Sequence, residues 1–131
     1  MKTKQEHIDY WISQVADDWD AVDALFVRQR YLQSLFFTHL TIEKICKAIW
    51  IKHNKTNFPP RVHNLLYLLS QTPVTLTEEQ SEFMLSLNRF QMEGRYPDYW
   101  TQMCKICNED FARKMIEQTN ELKLWLIKKL Q

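Results

Sequence analysis

The chain has 131 residues, of which 45% are hydrophobic and 25% are charged, and this balance excludes a disordered protein. Its 17 basic and 16 acidic residues nearly cancel, which excludes a general electrostatic attraction to nucleic acid, since that normally needs a large basic excess. One glycine and four prolines are too few for a fold with many tight turns and favour long helices. The length suits a single helical domain over residues 1–131.

Three further features of the sequence bear on location. No run of about 18 apolar residues is present, which argues against a membrane span and a membrane partner. The first residues lack the apolar stretch of a signal peptide. Three cysteines form no disulfide framework and are typical of a reducing compartment. We therefore expect a soluble cytoplasmic protein.

The first two predicted helices follow from the spacing of apolar residues. Between Ile8 and Leu25 these residues recur at steps of three and four, which places them in one stripe on a helix. From about Leu32 to His53 they occur nearly all round the helix. This second pattern is typical of an element in the middle of a bundle.

Two shorter helices are predicted in the middle of the chain. Residues 54–60 contain two prolines and no periodicity, and so form a linker. A short helix is then expected from Asn64 to Ser70. Thr77 and Gln80 have the spacing of a capping box, which places the start of a fourth helix immediately after Thr77.

The end of the fourth helix and the last helix complete the predicted fold. Gly94 is the residue at which a left-handed helix end would be expected, so the fourth helix should stop there. A loop over residues 95–99 follows, and a last helix begins at Thr101 or at Asn108 and ends near Leu130. Together these elements predict an all-α, up-and-down antiparallel bundle of four long helices and one short helix.

The cysteines and acidic residues do not indicate a metal site. Cys104 and Cys107 form a single C-x-x-C pair on a predicted helix, whereas structural zinc commonly uses two such pairs and a thioredoxin-like role needs a strand before the helix. We interpret them as small buried thiols and expect no metal and no other cofactor. The acidic residues around Asp20 point in several directions around one helix, which favours a solvated face.

Charged residues inside the second helix are candidates for a functional site. Glu43, Lys44 and Lys47 interrupt an otherwise apolar element, and charges there cost free energy unless they are paired or face a cleft. Glu43 and Lys47 are four residues apart and can pair on one face. His63 falls near the start of the short helix, where the positive end of the helix dipole favours the neutral ring.

The segment that follows the fourth helix carries a second set of candidates. Arg95, Tyr96 and Asp98 supply a forked donor, an aromatic face and a carboxylate on a loop stiffened by a proline. Arginine beside an aromatic ring is a combination that binds phosphate and base. The alternative is structural, with Arg95 bonding carbonyl groups at the helix end and Asp98 capping the next helix.

Taken in chain order, these segments resemble the motifs of the HEPN family, the higher eukaryotes and prokaryotes nucleotide-binding domain. The resemblance extends over about residues 8 to 130. It rests on five segments: Asp20–Leu25 followed by Arg30-Tyr31, Phe36-Phe37, Glu43–Ala48, Val62–Leu65 followed by Leu68-Leu69, and Arg95–Asp98.

The resemblance implies a small helix bundle that usually forms a homodimer. It also implies a small nucleotidyltransferase partner, with which such proteins act as a toxin–antitoxin or nucleotide-handling pair. Many members of the family are RNA-cleaving toxins that use an Arg-x4-6-His motif. No arginine of this chain is followed by a histidine at that distance, and Arg61 and His63 are too close together. Acid–base cleavage of RNA needs a proton-transfer group and a charge stabiliser together, so we lean against an enzyme.

The sequence hypothesis is a non-catalytic HEPN-like module that binds a nucleotide or RNA phosphate. Seven residues would line its cleft: Glu43, Lys44, Lys47, His63, Arg95, Tyr96 and Asp98. In this hypothesis Arg95 and Lys47 contact phosphate and Tyr96 stacks on a base. Two alternatives remain, a divergent HEPN ribonuclease toxin that uses Arg95 and His63, and a purely structural dimerising bundle.

Large aromatic residues outside the main stripes point to a dimer interface. They lie at helix ends or in loops, where such residues often mark a contact surface: Trp50, Phe58, Tyr99 and Trp100.

Overall fold

The computed structural model describes residues 2–91 and 97–131, and every regular element in these two ranges is helical. The all-α bundle that the sequence predicts is therefore confirmed. In chain order the helices are α1 (Lys4–Ser13), α2 (Val15–Val27), α3 (Tyr31–His53), α4 (Leu65–Ser70), α5 (Glu78–Leu87), a 3-10 turn (Asn88–Phe90), α6 (Pro97–Ile106) and α7 (Glu109–Lys128).

Helix α3 is the centre of the bundle, as its apolar surface predicts. Most of its 23 residues are buried, and α1, α2, α4 and α7 all pack against it. Leu35, Ile42 and Ile49 are completely enclosed by these neighbours. Because each large aliphatic side chain contributes about 1.5–3 kcal/mol when it leaves water, this helix supplies much of the hydrophobic stabilisation. Within the two described ranges, no helix is both long enough and apolar enough to cross a membrane.

The first predicted helix is divided into α1 and α2 at Gln14. The Ser13 hydroxyl donates to the Tyr10 carbonyl at 2.7 Å, and the Gln14 amide donates to the Trp11 carbonyl, three residues back. A serine side chain that takes a main-chain carbonyl in this way competes with the regular helical hydrogen bond. The apolar stripe nevertheless continues across the break through Val15.

The last predicted helix is likewise divided into α6 and α7. Asn108 ends the connection, and its Oδ1 accepts a hydrogen bond from the Phe111 amide at 2.8 Å, which caps α7. Helix α6 starts at Pro97, a residue well suited to a first helical position because its fixed backbone angle matches the helix. The expected helix end at Gly94 lies outside the described residues.

Hydrogen bonds to side chains fix the start of α5, as predicted. The Thr77 hydroxyl accepts from the Gln80 amide at 3.1 Å, and Gln80 Oε1 accepts from the Thr77 amide at 2.9 Å. These reciprocal bonds are the capping box that the sequence indicates. Helix α5 then ends at Leu87, seven residues before the predicted stop at Gly94, and passes directly into the 3-10 turn.

Candidate functional site

The candidate site is built around Glu43, a buried carboxylate in the middle of α3 that is 4% exposed. Lys47 Nζ donates to Glu43 Oε2 at 3.1 Å, and His63 Nδ1 donates to Glu43 Oε1 at 2.9 Å. A buried carboxylate is tolerated only when hydrogen bonds and an opposite charge replace its water. The predicted pairing of Glu43 with Lys47 is confirmed, and His63 supplies a hydrogen bond to the other oxygen of the carboxylate.

The backbone and Nδ1 of His63 are held by hydrogen bonds to α3, whereas its ring is half exposed. Its carbonyl accepts a hydrogen bond from His39 Nε2 at 3.0 Å, so α3 holds both the backbone and the side chain of this residue. The next residue, Asn64, caps α4 by accepting from the amides of Leu66 and Tyr67. The His63 side chain is 47% exposed, and its Nε2 has no hydrogen-bond partner among the described residues.

His39 is a member of the cluster that the sequence analysis missed. It is buried on α3, one turn before Glu43, and its Nδ1 is 3.8 Å from Glu43 Oε1. Burial lowers the pKa of His39 below its ordinary value of 6.5, and the nearby Glu43 carboxylate opposes this shift. The i, i+4 spacing to Glu43 was the available signal, since residues four apart share a helix face.

Lys47 is enclosed by the protein. Its side chain is 9% exposed, and Nζ lies 5.2 Å from the centre of the Trp11 ring of α1. A lysine over an indole ring gains a cation–π attraction that strengthens with loss of water. Lys47 is thus held between a carboxylate and an aromatic face.

Two of the remaining predicted site residues, Lys44 and Asp98, lie in the described part of the chain. Lys44 points toward α2, where its Nζ is 2.6 Å from Asp18 Oδ2, so the structure does not bring it to Glu43. Asp18 is accordingly an exception to the solvated acidic face expected for this helix. Asp98 lies exposed in the first turn of α6. Arg95 and Tyr96 lie outside the described residues.

The cysteines are placed differently from one another. Cys46 and Cys107 are buried, as expected, whereas Cys104 is exposed and the prediction of a buried thiol is wrong there. Cys104 lies on α6, whereas Cys107 follows the last residue of that helix in the connection to α7. Burial raises the pKa of the Cys107 thiol to about 11 and raises that of Cys46 further. Across the described part of the chain, no three His, Cys, Asp or Glu residues form a group that could hold a metal ion.

The arrangement fixes what His63 can do chemically. Because Glu43 accepts the proton on Nδ1, a neutral His63 ring presents Nε2 as an acceptor, and a protonated ring presents it as a donor. A donor of this kind suits a phosphate oxygen, and an acceptor suits a hydroxyl group that loses its proton. Both possibilities require the half-exposed ring that the structure shows.

Comparison with known families gives one result. A family model described as HEPN domain matches residues 8–130, nearly the whole chain, and confirms the resemblance that the motifs predict. No match is found among curated proteins or among solved structures.

Proposed function

Because the chain belongs to the HEPN domain family, whose members are nucleotide- and RNA-related modules that commonly dimerise, we propose that it binds a nucleotide or RNA phosphate at the surface around His63. The observation that carries the proposal is the half-exposed imidazole whose inner nitrogen is fixed by a buried carboxylate. In its protonated form His63 donates to phosphate from Nε2, while Glu43, paired with Lys47, holds the ring in place. The proposal also includes three residues from the segment that follows the 3-10 turn. Arg95 donates to phosphate, Tyr96 stacks on a base and Asp98 supplies a carboxylate.

The charge balance at the site supports binding of an anion. Lys47 already neutralises Glu43, so the cluster presents no net negative charge to a phosphate when His63 is neutral, and one positive charge when His63 is protonated. Hydrogen bonds between ionised partners are roughly twice as strong as neutral ones, which gives this binding mode its physical basis.

The proposal includes a partner protein. The resemblance implies a small nucleotidyltransferase with which such proteins form a toxin–antitoxin-type pair, and we assign this chain to that arrangement without a catalytic role of its own. The partnership is tested by co-expression with a nucleotidyltransferase encoded beside its gene. The tagged chain is then purified by affinity. A stoichiometric complex supports the partnership, and recovery of the chain alone at both high and low salt counts against it.

A second candidate function is favoured by the Glu43–His63 hydrogen bond. A carboxylate that orients a histidine is a common arrangement for a general base, so a divergent ribonuclease remains the enzymatic alternative. The missing Arg-x4-6-His motif weighs against it, since no arginine follows the family spacing. Incubation of labelled RNA with the protein distinguishes the two: cleavage that His63→Ala abolishes favours the enzyme, and binding without cleavage favours the module.

Binding measurements on matched variants test the leading proposal. We expect His63→Ala and Arg95→Ala to weaken binding of a nucleoside triphosphate or short RNA about tenfold or more, the value of one charge-assisted hydrogen bond. The melting temperature of Arg95→Ala should stay close to that of the parent protein, whereas His63→Ala also removes a hydrogen bond to the buried Glu43 carboxylate and should melt lower. His53→Ala is the control because His53 is exposed at the end of α3, away from Glu43. If Arg95→Ala melts several degrees lower and the parent protein binds no ligand, the charged residues are structural and the proposal is wrong.

A further inference from the structure

A groove runs along the N-terminal half of α3, on the side that faces α6. One of its two cavities, with a volume of about 290 Å³, extends from α3 to the 3-10 turn and α6. The other, about 330 Å³, begins at the corner between α2 and α3. The cavities share Leu32, Gln33 and Trp100, so they are continuous, and we call them together the α3–α6 groove.

Aromatic rings form much of the groove wall. Phe36 and Phe37 are half-buried on α3 and lie edge to face, with ring centres 5.6 Å apart. Trp100 of α6 is 38% exposed, and Tyr31 and Phe90 complete the aromatic lining. Several partly open rings around one cavity are a stacking surface for flat, unpaired groups.

Polar groups lie between the rings. Gln29, Gln33 and Gln91 bring side-chain amides to the groove, and Arg30 is exposed at its outer end. Gln91 Oε1 is buried and accepts no hydrogen bond from residues 2–91 or 97–131. An amide presents both donors and an acceptor, as does the edge of a nucleobase, and a forked guanidinium matches a phosphate. The lining thus contains the three kinds of group that bind a nucleotide.

We propose that the α3–α6 groove binds the unpaired bases of single-stranded RNA. The inference rests on the proposed function and adds a base-binding surface to the phosphate site at His63. Trp100 and Phe37 stack on bases, Gln33 and Gln91 hydrogen-bond to base edges, and Arg30 contacts the backbone. Proteins recognise unpaired RNA through these same interactions, whereas the bases of a duplex are not available for stacking.

The groove and His63 are placed to hold one strand. A third cavity of about 310 Å³ starts at Gln91 and reaches Asn64, the residue next to His63. Phe36 and Glu43 are seven residues apart on α3, so they share a face and are separated by about 10 Å along its axis. A strand with its bases in the groove therefore reaches His63 with a phosphate only a short distance further on.

Comparison of two probes tests the inference. The first is a short single-stranded RNA of mixed sequence, and the second is a ribose-phosphate oligomer of equal length without bases. We expect the parent protein to bind the RNA about tenfold or more tightly than the abasic oligomer, because stacking of even one base has about that effect. Trp100→Leu should remove this preference and leave binding of the abasic oligomer unchanged. Phe58→Leu is the control because Phe58 is an exposed ring that does not line the groove.

The outcomes separate this inference from the proposed function. Equal binding of both probes by the parent protein overturns the base groove and leaves phosphate binding standing, while binding of neither probe overturns both. Equal weakening of both probes by Trp100→Leu also contradicts base recognition. If Trp100→Leu fails to fold, Gln33→Ala takes its place and should reduce only the preference for RNA. A change from dimer to monomer in Trp100→Leu, with the RNA preference intact, identifies the groove as a subunit interface and overturns the inference.

Discussion

Glu43 and Lys47 lie one turn apart on α3, the central helix of the bundle. Each charged side chain can be buried only because the opposite charge lies beside it. Because the Glu43 side chain is enclosed, its removal leaves the Lys47 ammonium without its counter-charge in a site that water scarcely reaches. We expect Glu43→Ala to lower the free energy of unfolding by about 3–5 kcal/mol, the cost of breaking a buried ion pair on one side. Chemical denaturation monitored by circular dichroism measures this.

A surface carboxylate provides the control for that prediction. Glu117 is exposed on α7, and Glu117→Ala should change stability by no more than about 0.5 kcal/mol. Equal effects of the two substitutions would show that the Glu43–Lys47 pair is not buried as the structure describes.

His39 makes stability depend on pH. Burial lowers its pKa in the folded protein below 6.5, so in the interval between these two values the unfolded chain binds a proton that the folded protein does not. Stability is therefore complete above about pH 6.5 and is lost as the pH falls below it, by at most about 1.4 kcal/mol per pH unit for one proton. The groups that face His39 are Glu43 on α3, the His63 segment and Asn88 on the 3-10 turn.

A matched variant isolates this contribution. His39→Gln keeps a donor near the His63 carbonyl but does not titrate, so its unfolding free energy should fall less between pH 7 and pH 5 than that of the parent protein. Urea denaturation at several pH values provides the comparison. Parallel curves for the two proteins would assign the acid sensitivity to other groups.

Among the helices, α1 is tied to the end of α3 by a single side chain. Lys4 Nζ donates to the carbonyls of Ile51 and Asn54 at 2.7 Å each, and to Asn57 Oδ1 at 3.0 Å. The last carbonyls of a helix have no partner within it, and a cation near them is favoured by the helix dipole. Lys4 therefore satisfies carbonyl groups at the end of α3 and joins that end to the linker.

Loss of this tie should be measurable. We expect Lys4→Ala to lower the free energy of unfolding by about 2 kcal/mol, since it removes charge-assisted hydrogen bonds and leaves acceptors unpaired. Lys55→Ala is the control because Lys55 is an exposed lysine of the same linker region. Thermal melts of both variants make the comparison, and a parent-like melting temperature for Lys4→Ala would contradict the proposed tie.

Hydrophobic spacing predicts the helices well but does not locate their interruptions. Ile8, Val15 and Val22 are seven residues apart and all buried, so the apolar stripe passes through the break at Gln14 unchanged. At the break the Ser13 hydroxyl donates to the Tyr10 carbonyl, a choice of acceptor that has no signature in the spacing. The capping box at Thr77 was predictable because its two bonds join residues three apart.

The same distinction applies to the site. The pair Glu43–Lys47 follows from helix geometry alone, because residues four apart share a face. Lys44 follows Glu43 directly and so points about 100° away around the helix, which brings it to Asp18 on α2. The hydrogen bond from His63 joins residues that are twenty positions apart, and only the packing of the linker and α4 on α3 brings them together.

For the molecule as a whole, the exposed aromatic residues concern assembly. HEPN domains commonly dimerise, and the ring of Phe58 is 76% exposed in the linker after α3. Trp50, also predicted at an interface, is instead buried and donates from Nε1 to Gln71 Oε1 at 2.7 Å. The Tyr99 side chain lies outside the described residues. Phe58 therefore stays a predicted subunit contact, since large exposed aromatic surface is unfavourable in a monomer.

Light scattering at micromolar concentration should give a mass about twice 15.9 kDa, and Phe58→Asp should shift the protein toward the monomer. A charge at the centre of an apolar contact loses its water on association without gaining a partner, so dimerisation weakens while the fold of each subunit is kept. Val27→Asp is the matched control, because Val27 is 77% exposed at the end of α2 and its substitution adds the same charge elsewhere. A parent protein that is monomeric at this concentration contradicts the dimer. A dimer that Phe58→Asp leaves intact places the interface on another surface.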